Sequence, residues 1–252
     1  MIGYWQERQR VLLVTTECEP FWGESIAAQY VAQLPQRAPE NYEVRILMPK
    51  YGIIDDRRWR LHEVKRLSGI TIRVGNMDYS LNVKVASIPG TRTQVYFLDN
   101  HEFWARKGIF IDPDTQQPYA DNDERIIFFS KGVIAMIKTL KWAPHIIHCN
   151  GWMTALLTLY LRYHLQNDPF LGGAKLFFTH YENQIPGLRF SSSLAEKARM
   201  DGQVLEVFQR LAGNFYDKLL MEMRRSVDVH QGDPTLETWL DFYQQLLTRA
   251  PV

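Results

Sequence analysis

The sequence predicts an α/β fold in which a parallel sheet is covered by helices and carries an inserted antiparallel flap. Three observations predict it. Short, largely apolar runs at residues 11–15 (VLLVT), 44–48 (VRILM), 146–149 (IIHC) and 174–179 (AKLFFT) read as strands buried on both faces. Apolar residues at helical spacing fill most of the intervals between them. Between residues 70 and 85 the period changes to two, the mark of strands with one wet face.

At 252 residues the chain is long enough to bury a substantial core, as one large domain or two small ones. A hydrophobic content of 46% against 23% charged is that of an ordinary globular protein. The formal net charge of +1, with both signs interspersed, supplies no field for nucleic acid or an anionic membrane, so neither is expected as a partner. Two cysteines, Cys18 and Cys149, exclude a disulfide framework and suit a reducing compartment. The first residues, MIGYWQERQR, lack an apolar signal core, and no apolar run nears the roughly 18 residues of a membrane helix. A cytoplasmic location is the expectation. No cofactor or metal is expected, because His145 and His148, three apart along a strand, face opposite sides.

The run 11–15 gives way to a loop at 17–23 containing Pro20 and Gly23, and a helix over 25–34 then begins with Ser25 or Glu24 at its cap. Strand 44–48 stops at Pro49 and completes a strand–helix–strand unit whose strands should run parallel. Ile70, Ile72 and Val74 alternate with polar residues, as do Leu81, Val83 and Val85, around a Gly75-Asn76-Met77-Asp78 turn. That is a hairpin, and Pro89-Gly90 leads from it into a strand at 94–98. The polar outer side makes this meander a flap on the sheet. Residues 101–120 read as a long aromatic-rich loop. Asp121-Asn122-Asp123-Glu124 resembles a capping box, ahead of a helix whose Ile126, Phe129, Val133, Ile137 and Leu140 share a face. The run 146–149 leaves through a tight Asn150-Gly151 exit into an apolar-faced helix over 152–163, and a loop at 180–187 follows strand 174–179. From residue 191 helix dominates: Val204, Phe208, Leu211, Phe215 and Leu219 sit three or four apart, 226–230 is a short strand and 235–247 a last helix. With no repeat or linker, residues 1–252 read as a single domain, 191–252 being its helical C-terminal segment.

Several stretches resemble the N-terminal domain of bacterial glycogen synthases and plant starch synthases. They are VLLVTTECEPF, VRILMPKYGII, VYFLDNHEFWARKGIFID, YADNDERIIFFSKGV, LKWAPHIIHCNGWMTALLTLYLR and AKLFFTHYENQIPG, in family order. The later NFYDKLLMEMRRSVDVHQGDP is similar to the helix and strand that close that domain. The resemblance implies one Rossmann-like half of a two-domain GT-B glycosyltransferase. Such an enzyme moves glucose from ADP-glucose, or UDP-glucose, to the non-reducing end of an α-1,4-glucan with retention of configuration. It further implies that most donor contacts come from a C-terminal domain, before which this sequence is expected to end. The partners implied are an α-glucan or a nucleotide sugar, and a protein supplying the other domain.

Ligands of open parallel sheets sit where strands end and helices begin, which singles out Asn150, Gly151 and Trp152. The family's motifs at such places are altered. Counted without gaps from Glu17, the family's Lys-Thr-Gly-Gly-Leu loop, which approaches phosphates and glucan, is Gly23-Glu24-Ser25-Ile26-Ala27. The lysine charge is gone, Glu24 repels a diphosphate, and the Cβ of Ile26 bars close backbone approach. His-x-Asp-Trp becomes His148-Cys149-Asn150-Gly151-Trp152, with glycine at the aspartate. Thr-Ile-His-Asn becomes Thr179-His180-Tyr181-Glu182, with the histidine shifted by one and so turned to the other face.

The reading is a fold kept after catalysis was lost. No catalytic residue is assigned, and Gly23, Glu24 and Ser25 form a degenerate phosphate loop. The sugar-binding candidates are Glu17, His148, Asn150, Trp152, Tyr181, Glu182 and Asn183. Plainer roles stand beside these. Glu17 meets a glucan hydroxyl or caps a helix, His148 is an acid–base group or hydrogen-bonded scaffold, and Trp152 stacks on a sugar or packs beneath the sheet. Cys149 reads as a small buried apolar residue and Arg57-Arg58-x-Arg60 as solvated surface. Phe103, Trp104, Phe110 and Tyr119 either hold glucan or are structural.

Overall fold

A computed structural model describes residues 8–181, 194–199, 206, 228–231 and 235–248. In chain order the elements are β1 (Gln9–Val14), α1 (Ile26–Arg37), β2 (Tyr42–Pro49), β3 (His62–Glu63), β4 (Ile70–Val74), β5 (Met77–Ser87), β6 (Gln94–Asp99) and α2 (His101–Trp104). There follow α3 (Asn122–Leu140), β7 (Ile146–Asn150), α4 (Ala155–Leu159), β8 (Lys175–His180), α5 (Leu194–Ala198), β9 (Asp228–Gln231) and α6 (Leu236–Thr248). Strands β6-β2-β1-β7-β8-β9 are mutually parallel, in that spatial order. β1 lies between β2 and β7, so the winding direction reverses beside it, and the carboxyl end of β1 is the switch point where such sheets hold ligands.

The core follows from the apolar runs. Val11, Leu12, Leu13 and Val14 are at most 1% exposed, as strands covered on both faces must be. Alternate residues of β7 then serve opposite layers: His148 meets Tyr243 of α6, and Cys149 meets Thr154 ahead of α4. α1 joins α6 on its side through Tyr30 and Trp239, whose rings are 5.9 Å apart. α3 packs on α4 and on the hairpin strand β4.

Several expectations are corrected in detail. The inserted antiparallel strands are present as expected, and the structure places them at the edge of the sheet. β5 pairs antiparallel with β6, which itself pairs parallel with β2, and the 11-residue β5 also serves β3 and β4. The hairpin turn is tighter than the sequence suggests: Val74 pairs with Met77, leaving Gly75, at φ +56°, and Asn76 outside the ladder. Ser25, not Glu24, caps α1 by accepting from the Ala28 N–H at 3.1 Å, and the helix runs past residue 34 to Arg37. The segment after Gly151 is helical as expected but not regular. A 3-10 turn over Trp152–Thr154 leads into α4, and a π turn over Tyr160–His164 ends it. The expected helix at 204–219 lies outside the described residues apart from Glu206. No helix among the described residues is long and apolar enough to cross a membrane.

Candidate functional site

A cavity of about 880 Å³ opens at the carboxyl ends of β1, β2 and β7. One wall is the loop after β1, from Thr16 to Glu24. The opposite side is Ile109 and Phe110, with Tyr51 after β2 and Trp152 after β7 between them.

The first wall is tied to itself. Cys18 and Trp22 exchange backbone hydrogen bonds of 2.9 and 3.0 Å, closing the loop tip. The Ser25 hydroxyl donates to Glu17 Oε2 at 2.6 Å, which draws that carboxylate back to the N-terminus of α1, where the helix dipole favours it. Gly23 sits at φ +97°, and a Cβ there would come within 2.6 Å of Glu17 Oε2 and 2.8 Å of Glu17 Cβ. Neither the backbone angle nor the space admits a side chain. A lysine at position 23, where the resemblance places that of the Lys-Thr-Gly-Gly-Leu pattern, would meet both obstacles. Glu17, Glu19 and Glu24 all line the cavity, and no lysine or arginine is among the described lining residues. Trp22, at its mouth, is 37% exposed.

The second wall is strapped from outside. Residues 101–120, expected as loop, contain the one-turn helix α2, capped by Asn100 Oδ1 accepting from Phe103 N–H at 3.1 Å. Arg106 grips Asp121 with two bonds of 2.7 and 2.6 Å. This is why the expected capping box does not form. Asp121 makes no cap bond, because a bidentate guanidinium pair outcompetes a backbone N–H, and Glu124 pairs instead with Lys197 at 2.7 Å. Asn122 Nδ2 donates to the Phe110 carbonyl at 2.8 Å, and Arg125 Nη1 donates to the Ile109 carbonyl. Phe110 is thereby held edge-on to Trp152, with ring centroids 4.7 Å apart. That contact makes Trp152 part of the cavity lining, although it is only 5% exposed.

The structure separates the remaining candidates. Asn150 is 2% exposed and lies next to the cavity without lining it. Its Oδ1 accepts from the Tyr181 hydroxyl at 2.8 Å and its Nδ2 donates to Thr15 Oγ1 at 3.3 Å, so it ties together the ends of β1, β7 and the stretch after β8. His148 is fully buried, bonded to Tyr243 Oη at 2.7 Å and Thr179 Oγ1 at 2.8 Å, with Trp239 edge-on at 4.6 Å. It belongs to the layer under α6, not to the cavity. Cys149 is buried and its thiol is pushed up by desolvation. His145 Nδ1 accepts the Arg10 N–H at 2.9 Å. Arg57 and Arg58 are exposed, the latter over the Trp59 ring. Glu182 and Asn183 lie outside the described residues. Sequence reasoning missed Glu19, Trp22 and Tyr51 as cavity residues. Tyr51 stands two residues past the end of β2, as Trp152 does past β7, so the strand-end rule applied to every parallel strand finds it.

The family model of the starch synthase catalytic domain matches residues 10–223. The chain belongs to this family. It is 40% identical over 171 residues to a glycogen synthase of Chlorobium luteolum, covering 68% of this chain and 35% of that protein. With a glycogen synthase of Chlorobaculum tepidum it shares 37% identity over 205 residues, 81% of this chain and 42% of the relative. The chain thus spans well under half the length of these curated relatives. The solved catalytic domain of starch synthase IV from Arabidopsis thaliana, bound to ADP and acarbose, superposes with a TM-score of 0.61 at 21% identity. That superposition covers 80% of this chain and 39% of the other, and it shows a shared GT-B half-fold.

Proposed function

We propose that this starch synthase-family chain is a non-catalytic α-glucan-binding or regulatory protein of glycogen metabolism, a pseudoenzyme acting in the cytoplasm. Residues 1–252 are taken as one N-terminal-type domain, with 191–252 closing it. The observation that carries the reading is Gly23, whose φ of +97° and 2.6 Å approach to Glu17 leave no place for the lysine that would meet a phosphate. Glu17, Glu19 and Glu24 add a field that repels a diphosphate, while Trp22 and Phe110 offer faces on which a neutral sugar ring stacks. Carbohydrate hydroxyls donate hydrogen bonds to carboxylates, so the same acids suit a glucan.

The test is a glucose-transfer assay from ADP-glucose to glycogen, run beside a thermal-shift titration with maltoheptaose, ADP-glucose and UDP-glucose. A ligand that binds only the folded state raises its melting temperature. No transfer, with stabilisation by maltoheptaose alone, is the expected outcome. Transfer above a no-enzyme blank contradicts the proposal. One observation favours a second reading, an ADP-glucose-dependent glucosyltransferase completed by a partner domain. Trp22, Ile53 and Ile111, each between 37% and 41% exposed, line a recess that shares Trp22, Ile109 and Phe110 with the cavity, and a second domain would cover such a rim. Transfer that appears only on adding a separately expressed C-terminal synthase domain would select it.

A further inference from the structure

Behind the second wall lies a cluster of buried donors with nothing to receive them. Arg125 is fully buried, and its Nε and Nη2 have no hydrogen-bond partner. The Trp104 indole N–H and the Tyr51 hydroxyl, on residues each 1% exposed, are also unpartnered. These groups share one aromatic box. The Arg125 guanidinium lies 4.8 Å from the Trp104 ring centroid, 5.3 Å from that of Tyr119 and 5.7 Å from that of Phe110, and the Tyr51 and Trp104 rings meet edge-on at 5.7 Å. Leaving several buried polar atoms unpaired is costly, and a buried unpaired charge more so.

The charge count points the same way. The carboxylate acting most strongly on Arg125 is Asp121, and both its oxygens are engaged by Arg106. Two guanidiniums against one carboxylate leave one positive charge inside the box. Glu17 acts on Tyr51 from the cavity side but is held by Ser25. Desolvation pulls the Arg125 guanidinium down to about 10, so it stays charged at neutral pH without a counter-charge. A water would bring two hydrogens of its own to a cluster whose one free acceptor is the Tyr51 oxygen. An anion accepts from N–H and O–H donors alike and cancels the charge.

We propose that Arg125, Trp104 and Tyr51 form a buried site for one small monovalent anion of halide size. The enclosing rings of Trp104, Phe110 and Tyr51 give it the apolar surround that suits a weakly hydrated ion. Since Phe110 and Tyr51 also line the cavity, occupancy of the site sets the stiffness of that wall. The inference does not depend on what the cavity binds.

The experiment uses the full chain without carbohydrate. Its melting temperature is measured as chloride replaces gluconate at constant ionic strength, then with bromide and with phosphate. Chloride and bromide should raise it saturably while gluconate and phosphate do not, because only an ion that fits the folded box shifts the equilibrium. Tyr51→Phe removes one donor and no volume, and should weaken chloride affinity about tenfold, the equivalent of one hydrogen bond to an ion. Arg125→Gln should abolish the halide response if it folds; Tyr51→Phe keeps the question decidable if it does not. A melting temperature that follows ionic strength alone, a response to phosphate, or a halide response unchanged in Tyr51→Phe overturns the site.

Discussion

The loop after β1 and the loop before α3 face each other across one cavity, yet they are held in different ways. The first closes on itself through Cys18–Trp22 backbone bonds and the Ser25–Glu17 bond, and it presents a half-exposed tryptophan and three carboxylates. The second is bound to α3 by Arg106–Asp121, Asn122–Phe110 and Arg125–Ile109, and it presents an apolar ring. The first wall ends in residues 23 and 24, where the resemblance read from the sequence places the start of the family's Lys-Thr-Gly-Gly-Leu loop, and the second carries stretches quoted for that resemblance. On the proposed reading, the cavity keeps its shape on one side while its chemistry is rewritten on the other.

Four substitutions sharpen the contrast. Asp121→Asn breaks the two-bond pair with Arg106, which is partly exposed, and should destabilise the protein by about 2 kcal/mol, read by urea denaturation. Asn122→Ala frees the Phe110 carbonyl and should cost roughly 1–2 kcal/mol in the same measurement. In the first wall, Gly23→Lys should cost about 1–2 kcal/mol through its backbone angle and its clash with Glu17, and should bring no ADP-glucose affinity. Combined with Glu17→Ala it should cost less than the two changes added together, because the second removes the clash of the first. A purely additive pair would show that Glu17 is not what excludes the side chain. Trp22→Ala should cost about 1 kcal/mol, since the ring is only 37% exposed and meets Tyr51 edge-on. It should also weaken maltoheptaose binding several-fold in calorimetry. A Trp22→Ala protein that binds maltoheptaose unchanged removes that ring from the site.

What the sequence made legible followed the range of the forces involved. β1, β2, β7 and β8 were readable because a strand buried on both faces announces itself in consecutive residues. The Gly151 exit, at φ +86°, was readable because only local backbone geometry is at stake. The pairing of β5 with β6 at the sheet edge was not, since alternation tells which face a residue serves and not which strand lies beside it. The capping box failed for a similar reason: its competitor, Arg106, is 15 residues away. His148 illustrates the limit for sites. Its place on the strand was evident, but it sits mid-strand in β7, and its partners Tyr243 and Thr179, 95 and 31 residues distant, make it scaffold. Tyr51 was within reach of the strand-end rule, but Trp22 carries no motif at all, and only the folded loop brings it to the cavity.

The most direct test of the central claim is calorimetric titration of maltoheptaose and of ADP-glucose into the same preparation of the full chain. Heat of binding from maltoheptaose and none from ADP-glucose is the result this account predicts. Saturable binding of ADP-glucose would contradict it, because it would place a diphosphate against Glu17, Glu19 and Glu24.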